Sequence, residues 1–222
     1  MENYPGNTLK LPRGLSLQMS KNGLALVGSG MTLIADFSSM LPRIKQGKVH
    51  KELLVRAAKI KGVAHPVAVD ATAGLGEDSL LLAAAGFHVK MYEQNPVIAA
   101  LLQDALHRAI DIPELQETMA RMELNKGDSV QALERLSFQP DVVYLDPMFP
   151  ARQKSAAVKK KFQLLHHLEQ PCNNPEALVH AALTAQPRKI VIKRPNKGAY
   201  LADIKPSYSI AGKTVRYDVI VT

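Results

Sequence analysis

Asp146-Pro147-Met148-Phe149 places a carboxylate, a proline carbonyl and an aromatic ring directly after the apolar run Val142-Val143-Tyr144-Leu145. That set of groups suits an amine on a heteroaromatic ring as the reacting partner. Such an amine delocalises its lone pair into the ring, so it attacks poorly until acceptors hold its hydrogens and turn the lone pair toward an electrophilic carbon. The Asp146 carboxylate and the Pro147 carbonyl can be those acceptors, and Phe149 can stack on the ring. No strong base is needed, because the amine becomes acidic as it is alkylated, and the rate then comes mainly from positioning. An Asp-Pro after a strand is also an ordinary turn. The chemical reading therefore depends on what else converges on the same place.

The stretch from Val67 to Pro96 supplies that. It reads as a buried strand ending at Asp70, a turn carrying Gly74 and Gly76, a helix stopped by Gly86, a second strand from His88, and Glu93 at its end. This is half of a nucleotide-type βαβ unit, in which an acid after the second strand accepts hydrogen bonds from a ribose. A dinucleotide fingerprint wants a third glycine where Ser79 stands, and Glu77 and Asp78 open the helix. A pyrophosphate about 5 Å from each acid, at an effective dielectric near 20, would cost roughly 3 kcal/mol per pair. NAD is disfavoured. S-adenosylmethionine has no phosphate and carries a sulfonium and an ammonium, so acids near the turn suit it. The same two acids also serve a helix start by complementing its dipole, and both roles can coexist. Asp128, after a further strand, falls on the same carboxyl edge, where it either borders an adenosine or caps the next helix.

Positive charge follows the Asp146 loop. Arg152, Lys154, Lys159, Lys160 and Lys161 come with no acid between them, and Lys193 and Arg194 end the next strand. Beside an acceptor base these cations would meet phosphates, and the competing reading is surface charge at strand ends. A base inside a helix would have to be flipped out or already unpaired. His166 and His167 are adjacent and cannot both face one metal, and no Cys/His/Asp spacing surrounds them, so no metal site is expected.

The elements that must position these groups follow from periodicity. Leu15 to Met19 and Leu24 to Val27 predict a β-hairpin, an appendage covering residues 1–36, with the main domain at 37–222. The basic approach Arg43, Lys45, Lys48 and Lys51 leads into an amphipathic helix through Ile60. Asn95 and Pro96 cap a helix with Ile98, Leu101, Leu102 and Leu106 on its apolar face. A short helix is expected from Glu114 to about Met122, a strand at Met122 to Asn125, and a helix from Ser129 to Leu136. Strands follow at Asp141–Asp146 and Lys189–Lys193, with one or two helices over 162–185 between them. A terminal antiparallel pair turns at Gly212-Lys213.

With 222 residues and 46% hydrophobic content the chain can bury one sizeable α/β core. No apolar run is longer than Leu80 to Ala85, far short of the roughly 18 residues of a membrane span. The single cysteine, Cys172, excludes an internal disulfide framework and fits a reducing compartment, so a cytoplasmic protein is expected. Lys and Arg exceed Asp and Glu by 28 to 20, a net charge of +8, which favours a polyanionic partner.

Asp146-Pro-Met-Phe resembles the D/N-P-P-Y/F loop of class I methyltransferases that modify exocyclic amines, with Met148 for the second proline. DATAGLGEDS, YEQNP, VVYLDPMFP with the following KSAAVKKK, and VIKRP together resemble the ribosomal small-subunit RNA methyltransferase J family, from about Asp36 to the carboxyl terminus. The resemblance implies a Rossmann-like class I fold, a mostly parallel seven-stranded sheet with an antiparallel last strand. It also implies methyl transfer from S-adenosylmethionine to the N2 amine of a guanine in 16S ribosomal RNA, free or in the small subunit. Carried over by motif, the cofactor contacts are Glu77 and Asp78, Glu93 and Gln94, Asp128 and Ser129, and Asp146. The family often has Arg at the positions of Glu77 and Gln94 and Ser at that of Asp128. Its segment before the core is often richer in glycine, and its amino-terminal region looks longer. Two rival readings share the motifs: methylation of an adenine amine in DNA or RNA, and a non-catalytic RNA-binding protein that keeps the fold.

Overall fold

The computed structural model describes residues 9–147, 164–165, 168 and 174–222, with the backbone alone at 2–3. In chain order, an antiparallel sheet comes first: β1 (Glu2–Asn3), β2 (Leu15–Ser20), β3 (Gly23–Gly28) and β4 (Met31–Ile34). The expected hairpin is β2 and β3. The additional strand β4 follows a turn in which Ser29 (φ 51°) and Gly30 (φ 69°) are both left-handed, the backbone that joins tightly twisted neighbouring strands. Short helices α1 (Leu41–Ile44) and α2 (Leu53–Ala58) lead into the larger sheet.

The larger unit alternates strand and helix: β5 (Val67–Asp70), α3 (Glu77–Ala84), β6 (His88–Glu93), α4 (Pro96–Ala109), α5 (Gln116–Met119), β7 (Met122–Lys126), α6 (Ser129–Leu133), β8 (Val142–Leu145), α7 (Pro175–Thr184), β9 (Lys189–Pro195), β10 (Tyr208–Ala211) and β11 (Val215–Val221). Among the described residues the sheet has seven strands in the order β10-β11-β9-β8-β5-β6-β7. β5, β6, β7, β8 and β9 pair in parallel, while β11 runs antiparallel to both β9 and β10, as expected of the last strand.

Period-two alternation divides the core between the two faces of this sheet. Ala68, Val142, Tyr144 and Val191 pack toward α2, α3 and α4, whereas Val69, Val143, Leu145, Ile190 and Ile192 pack toward α6 and α7. Leu80, Leu81, Leu82 and Ala83 are all buried, so the middle of α3 has no solvent stripe, and its first turn, Glu77 and Asp78, is partly exposed. The amino-terminal sheet shares the first of these cores through Leu17, Leu24, Leu26 and Leu33. Asp104 Oδ2 on α4 fastens it by accepting from Leu24 N (2.9 Å) and Arg108 Nε (2.8 Å). Gly23 (φ 111°) is required there, since a Cβ would lie 2.2 Å from Arg108 Nε.

Two helices are shorter than their apolar spacing predicts. α2 ends at Ala58 because Lys59 turns out of the helical region, with ψ at 123°. α6 ends at Leu133, and Leu136 and Phe138 still pack on the second core from the irregular chain beyond it. The stretch expected as one helix after Glu114 is a 3-10 turn, Pro113–Leu115, followed by α5.

Candidate functional site

The carboxyl ends of β5, β6 and β8 open on one cleft of about 760 Å³, within the roughly 300–1,000 Å³ of small-molecule sites. Its floor is the turn after β5. Asp70 is buried, and its carboxylate shapes that turn: Oδ1 accepts from Thr72 N at 3.0 Å, and Oδ2 accepts from Ser79 Oγ at 2.6 Å. Burial pushes the Asp70 carboxyl up to about 7, against the pull of those donors. Gly76 ends the turn with φ 78° and ψ 8°, and a Cβ there would meet Leu102 Cδ1 at 2.7 Å and Phe37 Cζ at 3.1 Å. Glycine is needed both for the left-handed backbone and for the close approach of α4.

Glu93 at the end of β6 ties two loops together. Its Oε2 accepts from Gly74 N at 2.9 Å and its Oε1 from Asn95 N at 2.7 Å. Burial raises its pKa, and the backbone donors oppose that shift. Carboxylate oxygens keep further lone pairs, so a ribose hydroxyl can donate to the same group. Asn95 caps α4 by accepting from Val97 N (2.9 Å) and Ile98 N (3.2 Å), while its amide donates to the Leu168 carbonyl at 2.8 Å. Gln94, Asp128 and Ser129 line the cleft beyond Glu93. The Asp128 side chain caps α6 by accepting from Val130 N at 2.9 Å, so the helix-cap reading of that residue holds and its place on the cleft wall comes with it.

The acceptor side is built around a cation. Lys193 Nζ lies 2.7 Å from Asp78 Oδ2 and 2.9 Å from Asp146 Oδ2, joining the start of α3 to the end of β8. Tyr144 Oη donates to Asp78 Oδ2 at 2.6 Å, and Asp146 N donates to Thr72 Oγ1 at 2.7 Å. Burial works against the Lys193 ammonium, yet the two carboxylates hold its pKa above the ordinary lysine value. Burial likewise pushes the Asp146 carboxyl up, Lys193 pulls it back and Asp78 pushes it further. Burial and Asp78 keep the Tyr144 hydroxyl protonated well above its usual range.

The structure therefore brings Asp70, Gly74, Gly76, Glu77, Asp78, Glu93, Gln94, Asp128, Ser129, Asp146 and Pro147 to one cleft. Asp70 acts there through the turn it shapes, since its oxygens hold Thr72 and Ser79. Two expectations are corrected in position. Lys193 was expected to face phosphates, but alternation along β9 turns it into the cleft, where both acids take its charge. Arg194 points to the opposite face, is buried, and donates from Nε to the Ala199 carbonyl at 2.8 Å. Phe149, Arg152, Lys154, Lys159, Lys160, Lys161, Cys172, His166 and His167 lie outside the described residues. Sequence reasoning missed Tyr144, Thr72 and the apolar wall of Leu165, Leu168 and Leu178. Tyr144 was signalled by standing two residues before Asp146 and so on the same sheet face. Among the described residues no group of three or more His, Cys, Asp or Glu side chains is arranged to hold a metal ion, and no helix is long and apolar enough to cross a membrane.

The donor set fits a cofactor that is cationic and free of phosphate. Acids on both sides of the turn leave no seat for a pyrophosphate, and the Glu93 carboxylate at the end of β6 keeps lone pairs that a ribose hydroxyl could use. Comparison with known proteins agrees. Residues 9–222 match the family model described as "Putative SAM-dependent methyltransferase". A ribosomal RNA small subunit methyltransferase J from Neisseria gonorrhoeae is 42% identical over 199 residues, 88% of this chain and 79% of that protein. Its counterpart from Nitrosococcus oceani is 44% identical over 197 residues, 87% of this chain and 78% of that protein. The crystal structure of a SAM-dependent methyltransferase from Neisseria gonorrhoeae has a TM-score of 0.76 at 35% identity, covering 96% of this chain and 85% of that one. An rRNA methyltransferase from Streptomyces viridochromogenes, at 16% identity and TM-score 0.52 over 78% of this chain and 84% of that one, shares the fold. With the cleft, the fold and this degree of identity in agreement, the chain belongs to the ribosomal RNA small subunit methyltransferase J family of SAM-dependent methyltransferases.

Proposed function

We propose that the protein transfers a methyl group from S-adenosylmethionine to the exocyclic N2 amine of a guanine in 16S ribosomal RNA. The observation that carries this reading is the Asp146 carboxylate, held at the end of β8 beside Pro147 and opposite the glycine turn and Glu93. The cofactor, when bound, supplies an electrophilic methyl on a sulfonium. Glu93 accepts from a ribose, Glu77 and Asp78 set a negative potential at the cationic end, and Gln94, Asp128 and Ser129 border the adenine. Asp146 and the Pro147 carbonyl accept the hydrogens of the incoming amine and aim its lone pair, so the transfer is an in-line displacement driven by position. Lys193 is a positioning residue, keeping Asp146 ionised and fixed. The names of the relatives support small-subunit ribosomal RNA as the substrate class, and the guanine N2 position follows from the family resemblance. Among the described residues none that lines the cleft precedes Asp70, which fits residues 1–36 as an appendage to a transfer unit at 37–222.

The test is an Asp146→Ala variant. It is expected to lose methyl transfer by far more than any loss of affinity for S-adenosylmethionine or for 16S RNA accounts for. Unchanged transfer would remove Asp146 from the chemistry.

A further inference from the structure

Beyond Pro195 the chain turns through Asn196-Lys197-Gly198 and returns at Tyr200, on the carboxyl edge of β9. Two buried arginines and an amide hold this turn rigid. Arg194 Nε donates to the Ala199 carbonyl at 2.8 Å, and Arg216 Nη1 donates to the Pro195 and Asn196 carbonyls at 3.0 and 2.7 Å. Arg216 is itself anchored through Nε to both Asp218 oxygens, at 2.9 and 3.1 Å. Asn196 Nδ2 donates to the Gly212 carbonyl at 2.7 Å, and Asn196 N to the Thr214 carbonyl at 3.2 Å. Those bonds place the turn against the β10–β11 turn, which carries Lys213.

Lys197 and Lys213 are exposed on these neighbouring turns, and among the described residues neither ammonium is ion-paired. Tyr200 lies over Arg216, with Cζ 5.1 Å from the ring centroid, and stays 41% exposed. The surface adjoins the cleft: Lys197 is four residues past Lys193, at most about 14 Å of extended chain. Two unpaired ammoniums on rigid turns attract phosphates, and an exposed ring held by a guanidinium is a platform for a nucleobase, the combination that tracks a nucleic-acid strand. A chain of net charge +8 adds a long-range attraction of the same sign.

We propose that Lys197, Lys213 and Tyr200 form the docking surface for the RNA strand flanking the target nucleotide, the lysines on its phosphates and Tyr200 against a base. This rests on the proposed function, in which RNA is the substrate. The test measures KM for small ribosomal subunits from a strain lacking the gene, between about 50 and 200 mM salt. Loss of two phosphate contacts should lower the slope of log affinity against log salt by about 1.4 to 1.8 in a Lys197→Gln/Lys213→Gln variant. Tyr200→Ala should raise KM about tenfold, and Tyr200→Phe should restore it. Affinity for S-adenosylmethionine stays at the wild-type value in all three, which reports an intact fold. Lys59→Gln/Lys61→Gln serves as the control, because those exposed lysines sit at the amino edge, where Lys189 at the start of β9 donates to the Lys59 carbonyl at 2.8 Å. A wild-type slope and KM in the active variants, or an equal fall in the control, would overturn the docking surface alone. Absence of methyl transfer by the wild-type protein would instead overturn the function on which it rests.

Discussion

Replacing Lys193 by Met removes the cation that, among the described residues, bridges Asp78 and Asp146, and the consequence is a shift in pH dependence. At 2.9 Å and an effective dielectric near 20, the Lys193–Asp146 attraction is about 6 kcal/mol before solvent is considered. The Asp146 side chain keeps 38% exposure toward the cleft, so screening leaves roughly a third of that, about 2 kcal/mol. Losing that attraction should raise the Asp146 pKa. The sign is unambiguous: burial already raises this carboxyl, Asp78 raises it further, and Lys193 and Arg194 lower it. Among the described residues Asp70, Tyr144 and Tyr217 are further ionisable groups coupled to this cluster, and none gains charge when Lys193 is lost. Only the ionised form holds both the amine and its own place, so activity falls as pH drops through this pKa. Single-turnover transfer of radiolabelled methyl to 16S RNA, measured from about pH 5 to pH 9, should show the acid limb displaced upward in Lys193→Met. Lys193→Arg should return it toward wild type. An unmoved limb with a uniformly lower rate would mean that Lys193 only supports the fold.

Two further outcomes concern the turn after β5. Gly76→Ala forces a left-handed φ on alanine and puts a Cβ 2.7 Å from Leu102 Cδ1, so urea unfolding should show a loss of about 2–4 kcal/mol together with weaker cofactor binding. Asp70 titrates near 7 in the fold and near its ordinary 3.8 when unfolded. Between those values the folded state keeps a proton that the unfolded chain has released, so stability falls as pH rises from about 4 to about 7. Asp70→Asn removes that slope, and its urea midpoint should gain on wild type between pH 4.5 and pH 8, by a free energy on the order of a few kcal/mol. A constant difference across that range would place the titration elsewhere.

The parts of the site legible in the sequence were those whose partners are near in the chain. The glycine turn, the Asn95 cap and Glu93 fall within one βαβ unit, where period and punctuation specify both the elements and the edge that carries the ligand. Asp146 was legible because a proline ends its strand at that same edge. Lys193 was misplaced for the opposite reason. Its partners are 115 and 47 residues away, and only sheet register decides that Lys193 faces α3 while Arg194 faces α7. The strand β4 was missed because four residues, MTLI, carry too little alternation to be read alone. Tyr144 looked like core and is core, and its hydroxyl becomes part of the site only once Asp78 is brought over it.

The central claim is tested most directly by nucleoside mass spectrometry of 16S RNA from a strain lacking this gene, with and without the gene restored. The account predicts that one N2-methylguanosine disappears in the deletion and returns with the wild-type gene but not with the Asp146→Ala variant. An unchanged N2-methylguanosine content, or the loss of a methylated adenine instead, would contradict it.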